Sequence, residues 1–208
     1  MLADYDGDGY LDAATYEGKT GQWDILYSSG GSESMTWGWK GGVAVPADYD
    51  GDGMDELGFY DPDTGGWFIY NLDTKTSYSC TYGWDGCLAT HGDYDGDDEA
   101  DLVVYDTLNS HWYIYQSSSS SVVSHDLGAT GAIPVPGDYN GDGLPDPTVF
   151  YPPSGTWYIH SSLGGDSSLV WGWNKGCYPL SGDFDNDGTD DLAVFDYRLG
   201  RWNIYYMG

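Results

Sequence analysis

"DYDGDGYLD", residues 4–12, decides the fold. It puts four carboxylates and two glycines into nine residues, a composition that suits neither a helix interior nor a strand. It returns as DYDGDGMDE at 48–56, DYDGDDEAD at 93–101, DYNGDGLPD at 138–146 and DFDNDGTDD at 183–191. The copies begin at Asp4, Asp48, Asp93, Asp138 and Asp183, spaced 44, 45, 45 and 45 residues apart. A fixed period of that length marks a repeat architecture.

Other features keep step with the loop. A tryptophan follows each first Asp by 19 residues: Trp23, Trp67, Trp112, Trp157 and Trp202. Each opens a strand-like aromatic run, such as WDILY or WYIYQ, and reads as core. A second strand, such as LGFYD or LAVFD, lies between loop and tryptophan, joined to it by a Gly- or Pro-containing turn. A third run ends in TWGW, TYGW, HDLG or VWGW, and a fourth leads back into the next loop. No helical period of useful length is present. Each unit is thus about four short strands in roughly 45 residues, the size of a propeller blade.

A lone meander exposes both faces, so such units bury their aromatic faces only by stacking. We therefore expect an all-β, five-bladed β-propeller closing into a ring, one domain over residues 1–208. The last blade stops at WNIYYMG and lacks a third run, leaving it incomplete and open on its outer edge. Unpaired N–H and C=O groups there could take a strand from another chain or a missing segment.

The loop spacing points to a metal. Oxygen-bearing side chains fall at positions 1, 3, 5 and 9, with glycine usual at 6. Alternate positions of a tight loop can face one centre, and position 7 would add its carbonyl. Hard oxygen ligands in a flexible loop suit Ca²⁺, and no His or Cys in the loops speaks for Zn²⁺. An EF-hand needs Glu at position 12 and flanking helices. Here position 12 is Thr15, Phe59, Val104, Val149 or Val194, each in a strand-like run, so that motif fails.

DYDGDGYLDAATY, DFDNDGTDDLAVF and the SGTWYI-like hairpins resemble FG-GAP/VCBS repeats, the blades of integrin α-subunit propellers and of many bacterial secreted and surface proteins. The resemblance covers almost the whole chain. It implies Ca²⁺, about five ions, held between two strands of each blade. The first site would use Asp4, Asp6, Asp8, Asp12 and the Tyr10 carbonyl; the second Asp48, Asp50, Asp52, Glu56 and the Met54 carbonyl. The third would use Asp93, Asp95, Asp97, Asp101 and the Glu99 carbonyl, with Asp98 at the place of the usual glycine. The fourth would use Asp138, Asn140, Asp142, Asp146 and the Leu144 carbonyl; the fifth Asp183, Asp185, Asp187, Asp191 and the Thr189 carbonyl.

The formal net charge of −28 excludes nucleic acid as a partner and disfavours an anionic membrane surface. No apolar run is long enough to span a bilayer. The residues before Asp4 are too few for a signal peptide, so the start reads as a mature terminus or a fragment. Cys80 and Cys87 flank TYGWDG and can form a local disulfide, leaving Cys177 over.

Trp37, Trp39, Trp84, Trp171 and Trp173 in the WGW-type segments read either as blade packing or as a sugar-stacking platform. His91, His111, His125 and His160 occupy different repeat positions, and no nucleophile, P-loop or zinc-protease motif appears. The serine run QSSSSSVVSHD, 116–126, reads as a polar loop or weak outer strand. On these grounds the chain is expected to be no enzyme, but a calcium-stabilised extracellular or cell-surface propeller for adhesion or for binding a protein or glycan. A subunit of an extracellular polymer, assembled through the open last blade, and a lectin are the alternatives.

Overall fold

The computed structural model describes residues 1–174 and 176–208. The chain is all-β, with five antiparallel sheets in a β-propeller arrangement. The first blade holds β1 (Leu2–Ala3), β2 (Asp12–Glu17), β3 (Gln22–Leu26) and β4 (Ser32–Thr36). The second holds β5 (Val43–Ala44), β6 (Leu57–Asp61), β7 (Gly66–Tyr70) and β8 (Ser77–Thr81). The third holds β9 (Cys87–Gly92), β10 (Asp101–Asp106), β11 (His111–Tyr115) and β12 (Val122–Asp126). The fourth holds β13 (Ile133–Pro134), β14 (Thr148–Tyr151), β15 (Thr156–Ser161) and β16 (Gly165–Val170). The fifth has β17 (Cys177–Gly182), β18 (Asp191–Asp196) and β19 (Arg201–Tyr205). Within each sheet the strands pair in chain order.

Two compact units are distinguished, Met1–Val104 with Ile114–Val122, and Tyr105–Tyr113 with Val123–Gly208. The division runs through the third blade. Each unit has a core shared by adjacent blades. In the first, Trp23 and Ile25 pack with Leu57 and Leu72 of the second blade. In the second, Phe150, Trp157 and Ile159 pack with Leu192 and Val194 of the fifth. Burying such side chains is worth about 1.5–3 kcal/mol each and holds blade to blade.

The tryptophan period marks the centre of each blade. Trp23, Trp67, Trp112 and Trp157 are fully buried, whereas Trp202 is 54% exposed. Their indole N–H groups are matched where the outer strand is of the WGW type: Trp23 donates to the Trp37 carbonyl at 2.9 Å, Trp67 to Tyr82 at 2.8 Å and Trp157 to Trp171 at 2.7 Å. The preceding hairpin turns are set by carboxylates. Asp61, Asp106 and Asp196 each accept the N–H two residues on, at 3.1, 2.9 and 2.9 Å.

The outer strands end earlier than the sequence suggests. They stop at Thr36, Thr81, Asp126 and Val170, and the WGW-type segments lie beyond them. The cause is the central glycine: Gly38, Gly83, Gly128 and Gly172 have φ of 110°, 113°, 94° and 124°, outside any strand. Cys80 and Cys177 are free thiols, so the Cys80–Cys87 bridge is not formed. Cys80 sits on β8 opposite Trp67, while Cys87 is buried at the start of β9.

Candidate metal centres

Each acidic loop connects the innermost strand of a blade to its neighbour. The backbone turns twice through the left-handed region. At position 4, Gly7, Gly51, Gly96, Gly141 and Asn186 have φ of 71°, 73°, 80°, 75° and 64°. At position 6, Gly9, Gly53, Gly143 and Gly188 do the same at 83–92°, and Asp98 takes 70° where glycine is usual.

The four side-chain positions differ in their work. The first carboxylate gathers the N–H groups of the loop. Asp4 accepts from Gly7 at 2.8 Å, Asp8 at 3.2 Å and Gly9 at 2.8 Å. Asp48, Asp93, Asp138 and Asp183 do likewise. The fifth-position carboxylate accepts the N–H two residues on, as Asp8 does from Tyr10 at 2.8 Å.

Position 9 is buried: Asp12, Glu56, Asp101, Asp146 and Asp191 are 0–2% exposed. One oxygen accepts the N–H of position 2, from Tyr5, Tyr49, Tyr94, Tyr139 and Phe184, at 2.8–3.1 Å. The other takes an N–H from the far end of the aromatic strand: Ser28 for Asp12, Ser117 for Asp101, Ser162 for Asp146 and Met207 for Asp191. Glu56, one methylene longer, takes the Asn71 side-chain amide instead. Position 9 is thus a staple across the blade as well as a candidate ligand.

Position 3 is left with something to bind. One oxygen of Asp6 accepts from the Ser29 hydroxyl and one of Asp95 from Ser118. The other oxygen, Oδ1 in both, is buried without a hydrogen-bond partner. An unmatched buried carboxylate oxygen is costly, and a cation removes the cost. Acidic side chains from four loops bring ligand oxygens within 4.8 Å of one another: Asp4/Asp6/Asp8, Asp48/Asp50/Glu56, Asp93/Asp95/Asp101 and Asp183/Asp185/Asp191. The fourth loop differs because Asn140 stands at position 3 and donates its amide to Asp146 at 2.8 Å, a neutral substitute for part of the charge.

Without a cation, burial and neighbouring carboxylates push three of the position-9 acids, Glu56, Asp101 and Asp146, up. Burial drives Glu56 to about 7, with Asp50, Asp48 and Asp52 adding to it against the lowering effect of the Tyr49 N–H. Asp146 goes to about 6, again chiefly by burial. The donor set is all oxygen, anionic and crowded, which fits a hard divalent cation.

Sequence reasoning missed the serines. Ser28, Ser29, Ser117, Ser118 and Ser162 all reach the acidic loop of their own blade. The head of the serine run is therefore part of the third loop's cradle: Ser117 donates to Asp97 at 2.9 Å, and Ser118 to Asp95 at 2.6 Å. Their signal was the shared offset of 24 or 25 residues from the loop start. Loops are also chained. The N–H groups of Asp55, Ala100 and Asp190 donate to the carbonyls of Asp4, Asp48 and Asp138 at 2.6–2.7 Å.

The aromatic segments divide. Trp37 packs on Tyr70 and Trp171 on Tyr205, with ring centroids 5.1 and 5.5 Å apart, and Trp173 packs against the second unit's core. Trp39 packs edge-on against Phe59 and Phe68, with centroids 4.5 and 4.6 Å apart, and still keeps 43% exposure; Trp84 keeps 42%. His91 lines a cavity of the first unit with Ala3, Pro46 and Asp55, and desolvation pulls its pKa down to about 4.

No family model matches the chain, and no curated protein matches it. Solved structures do. Virginiamycin B lyase from Staphylococcus aureus, with quinupristin, is similar at 9% identity and TM-score 0.64, over 99% of this chain and 69% of that one. An Agrocybe aegerita lectin recognising non-reducing terminal N-acetylglucosamine is similar at 14% and 0.64, over 94% and 60%. An auxiliary nutrient-binding protein from Bacteroides thetaiotaomicron is similar at 14% and 0.59, over 100% and 58%. At these identities the likeness is one of fold. It corrects the reading of the chain as no enzyme. That reading went from a propeller without a nucleophile motif to a protein without chemistry, and a lyase on this fold breaks the step.

Proposed function

We propose that this chain is a calcium-stabilised β-propeller of FG-GAP/VCBS type that binds a protein or glycan ligand outside the cell. The observation that carries the calcium part is the buried, unmatched Oδ1 of Asp6 and Asp95 inside repeated all-oxygen cradles. A cation there would be held by Asp4, Asp6, Asp8 and Asp12 and their equivalents, with the position-7 carbonyl completing the set. Its role would be to neutralise and stiffen the loop that fixes two strands of each blade. Ca²⁺ is abundant outside cells, which supports the extracellular placement. Isothermal titration of chelator-treated protein tests this reading; about five Ca²⁺ per chain is the expected stoichiometry, and heat no different from buffer overturns it.

Ligand binding is supported by the surface. Trp39 and Trp84 occupy the same place in successive blades and remain half-exposed, so flat apolar faces such as those of sugars could stack on them. A lectin and a nutrient-binding protein share the fold. A glycan array probed with wild type and with the Trp39→Ala/Trp84→Ala double variant separates a glycan ligand, whose signal the variant loses, from a protein ligand, which gives no array signal.

A further inference from the structure

The second unit holds two histidines that the repeat does not call for. His160 stands on β15 where the second, third and fifth copies have Tyr70, Tyr115 and Tyr205. His125, next to last on β12, takes the place of Met35, Cys80 and Leu169 in the other outer strands. At these places the sister blades pack without an imidazole, so blade architecture does not account for either ring.

The fold nevertheless brings the two together. Their ring centroids are 3.9 Å apart, with the planes inclined at 34°. His160 lies directly opposite Asp166 on β16, and its Nδ1 meets Oδ1 of that carboxylate at 2.6 Å. A carboxylate on Nδ1 holds the proton there and leaves the lone pair of the neutral ring on Nε2, the arrangement found behind metal-bound histidines. Desolvation first, and then His160, pull the His125 pKa down, which favours the neutral ring that a ligand must be. A tetrahedral cation with metal–nitrogen bonds of about 2.0–2.1 Å holds two ligand nitrogens about 3.3 Å apart. Rings with centroids 3.9 Å apart reach that separation with little movement.

A groove of about 260 Å³ opens beside Asp166, lined also by Asp126, Tyr158 and Ser168. Its two carboxylates draw cations in. Among the described residues no third ligating atom of His, Cys, Asp or Glu lies within 4.8 Å of both rings, so water from the groove would complete the coordination. His111 stands apart from the pair: its Nδ1 is engaged by the Asp126 carboxylate, and its ring lies on Tyr113 with centroids 4.5 Å apart.

We propose that His125 and His160 bind one divalent transition cation of the Zn²⁺ or Cu²⁺ kind through two imidazole nitrogens, with Asp166 as the positioning residue for His160. This site differs in chemistry from the acidic loops. Imidazole nitrogen suits such cations, whereas Ca²⁺ takes oxygen, so Ca²⁺ in excess fills the loops and leaves the histidine pair open.

The test is isothermal titration of Zn²⁺ into the full chain in millimolar Ca²⁺. Wild type is expected to take up one Zn²⁺ more than the His125→Ala/His160→Ala double variant. Asp166→Ala should weaken that extra site about ten-fold by releasing the His160 ring, and His111→Ala should leave it within about two-fold. Equal uptake by wild type and double variant overturns the proposal. A second measurement needs no variant: pulsed electron paramagnetic resonance of the wild-type chain with one equivalent of Cu²⁺ in the same Ca²⁺ buffer. Modulation from two imidazoles is expected, and modulation from one or none overturns the proposal.

Discussion

At the scale of single residues, backbone sign and carboxylate burial set the loop. Asp98 takes a left-handed conformation that its counterparts Gly9, Gly53, Gly143 and Gly188 adopt without a Cβ. A left-handed L-residue costs about 1–2 kcal/mol, partly offset by the greater chain entropy of glycine. Asp98→Gly is therefore expected to stabilise by about 1 kcal/mol, raising Tm by about 3 °C in calorimetry. A lower Tm would show that the Asp98 carboxylate has a role of its own. The position-9 acids give a pH signature. In the metal-free protein Glu56 is raised from 4.5 to about 7 and Asp146 from 3.8 to about 6. Through these two carboxyls the folded state binds protons more tightly than the unfolded chain between those limits, while His91, pulled from 6.5 down to about 4, works in the opposite direction. The stability these two carboxyls contribute falls as pH rises from about 4 to 7 and is lost above, and it outweighs the smaller opposing contribution of His91. Urea midpoints with chelator should be higher at pH 5 than at pH 8, and Glu56→Gln should flatten the difference.

At the scale of elements, the same tryptophan has two fates. Trp67 is fully buried, with its indole N–H on Tyr82, whereas among the described residues no outer strand lies over Trp202. Trp67→Ala should cost about 3–5 kcal/mol and Trp202→Ala well under half of that, measured by urea unfolding. Equal losses would mean that the outer strand contributes little to tryptophan burial. The period places a tryptophan in every copy and an outer strand in all but the last, yet Trp202 read as core with the others, and its 54% exposure corrects that reading. The loops were legible in the sequence, since alternate acids need only local spacing. Other features depend on partners distant in the chain. The staple role of Asp12 relies on an N–H sixteen residues later, at Ser28. The use of Ser117 and Ser118 relies on the blade folding back on its own loop. The end of the outer strands at Thr36 and Val170 depends on a glycine dihedral, whose sign composition does not reveal.

At the scale of the whole molecule, electrostatics dominates. A formal charge of −28 on 208 residues repels itself, and the acidic loops hold most of the crowded part. Five Ca²⁺, as proposed, would add ten positive charges, leaving −18, and in two loops would meet the unmatched buried oxygens of Asp6 and Asp95. A site filled at 100 times its Kd stabilises by about 2.7 kcal/mol. Several filled sites would therefore shift unfolding by far more than ordinary salt does. The direct measurement is the calorimetric Tm of the chain in EDTA and in millimolar Ca²⁺ at pH 8 and equal ionic strength. A rise of at least about 10 °C with Ca²⁺, reversed by chelator, is the predicted result. Superimposable melting curves would contradict calcium as the stabiliser of the blades.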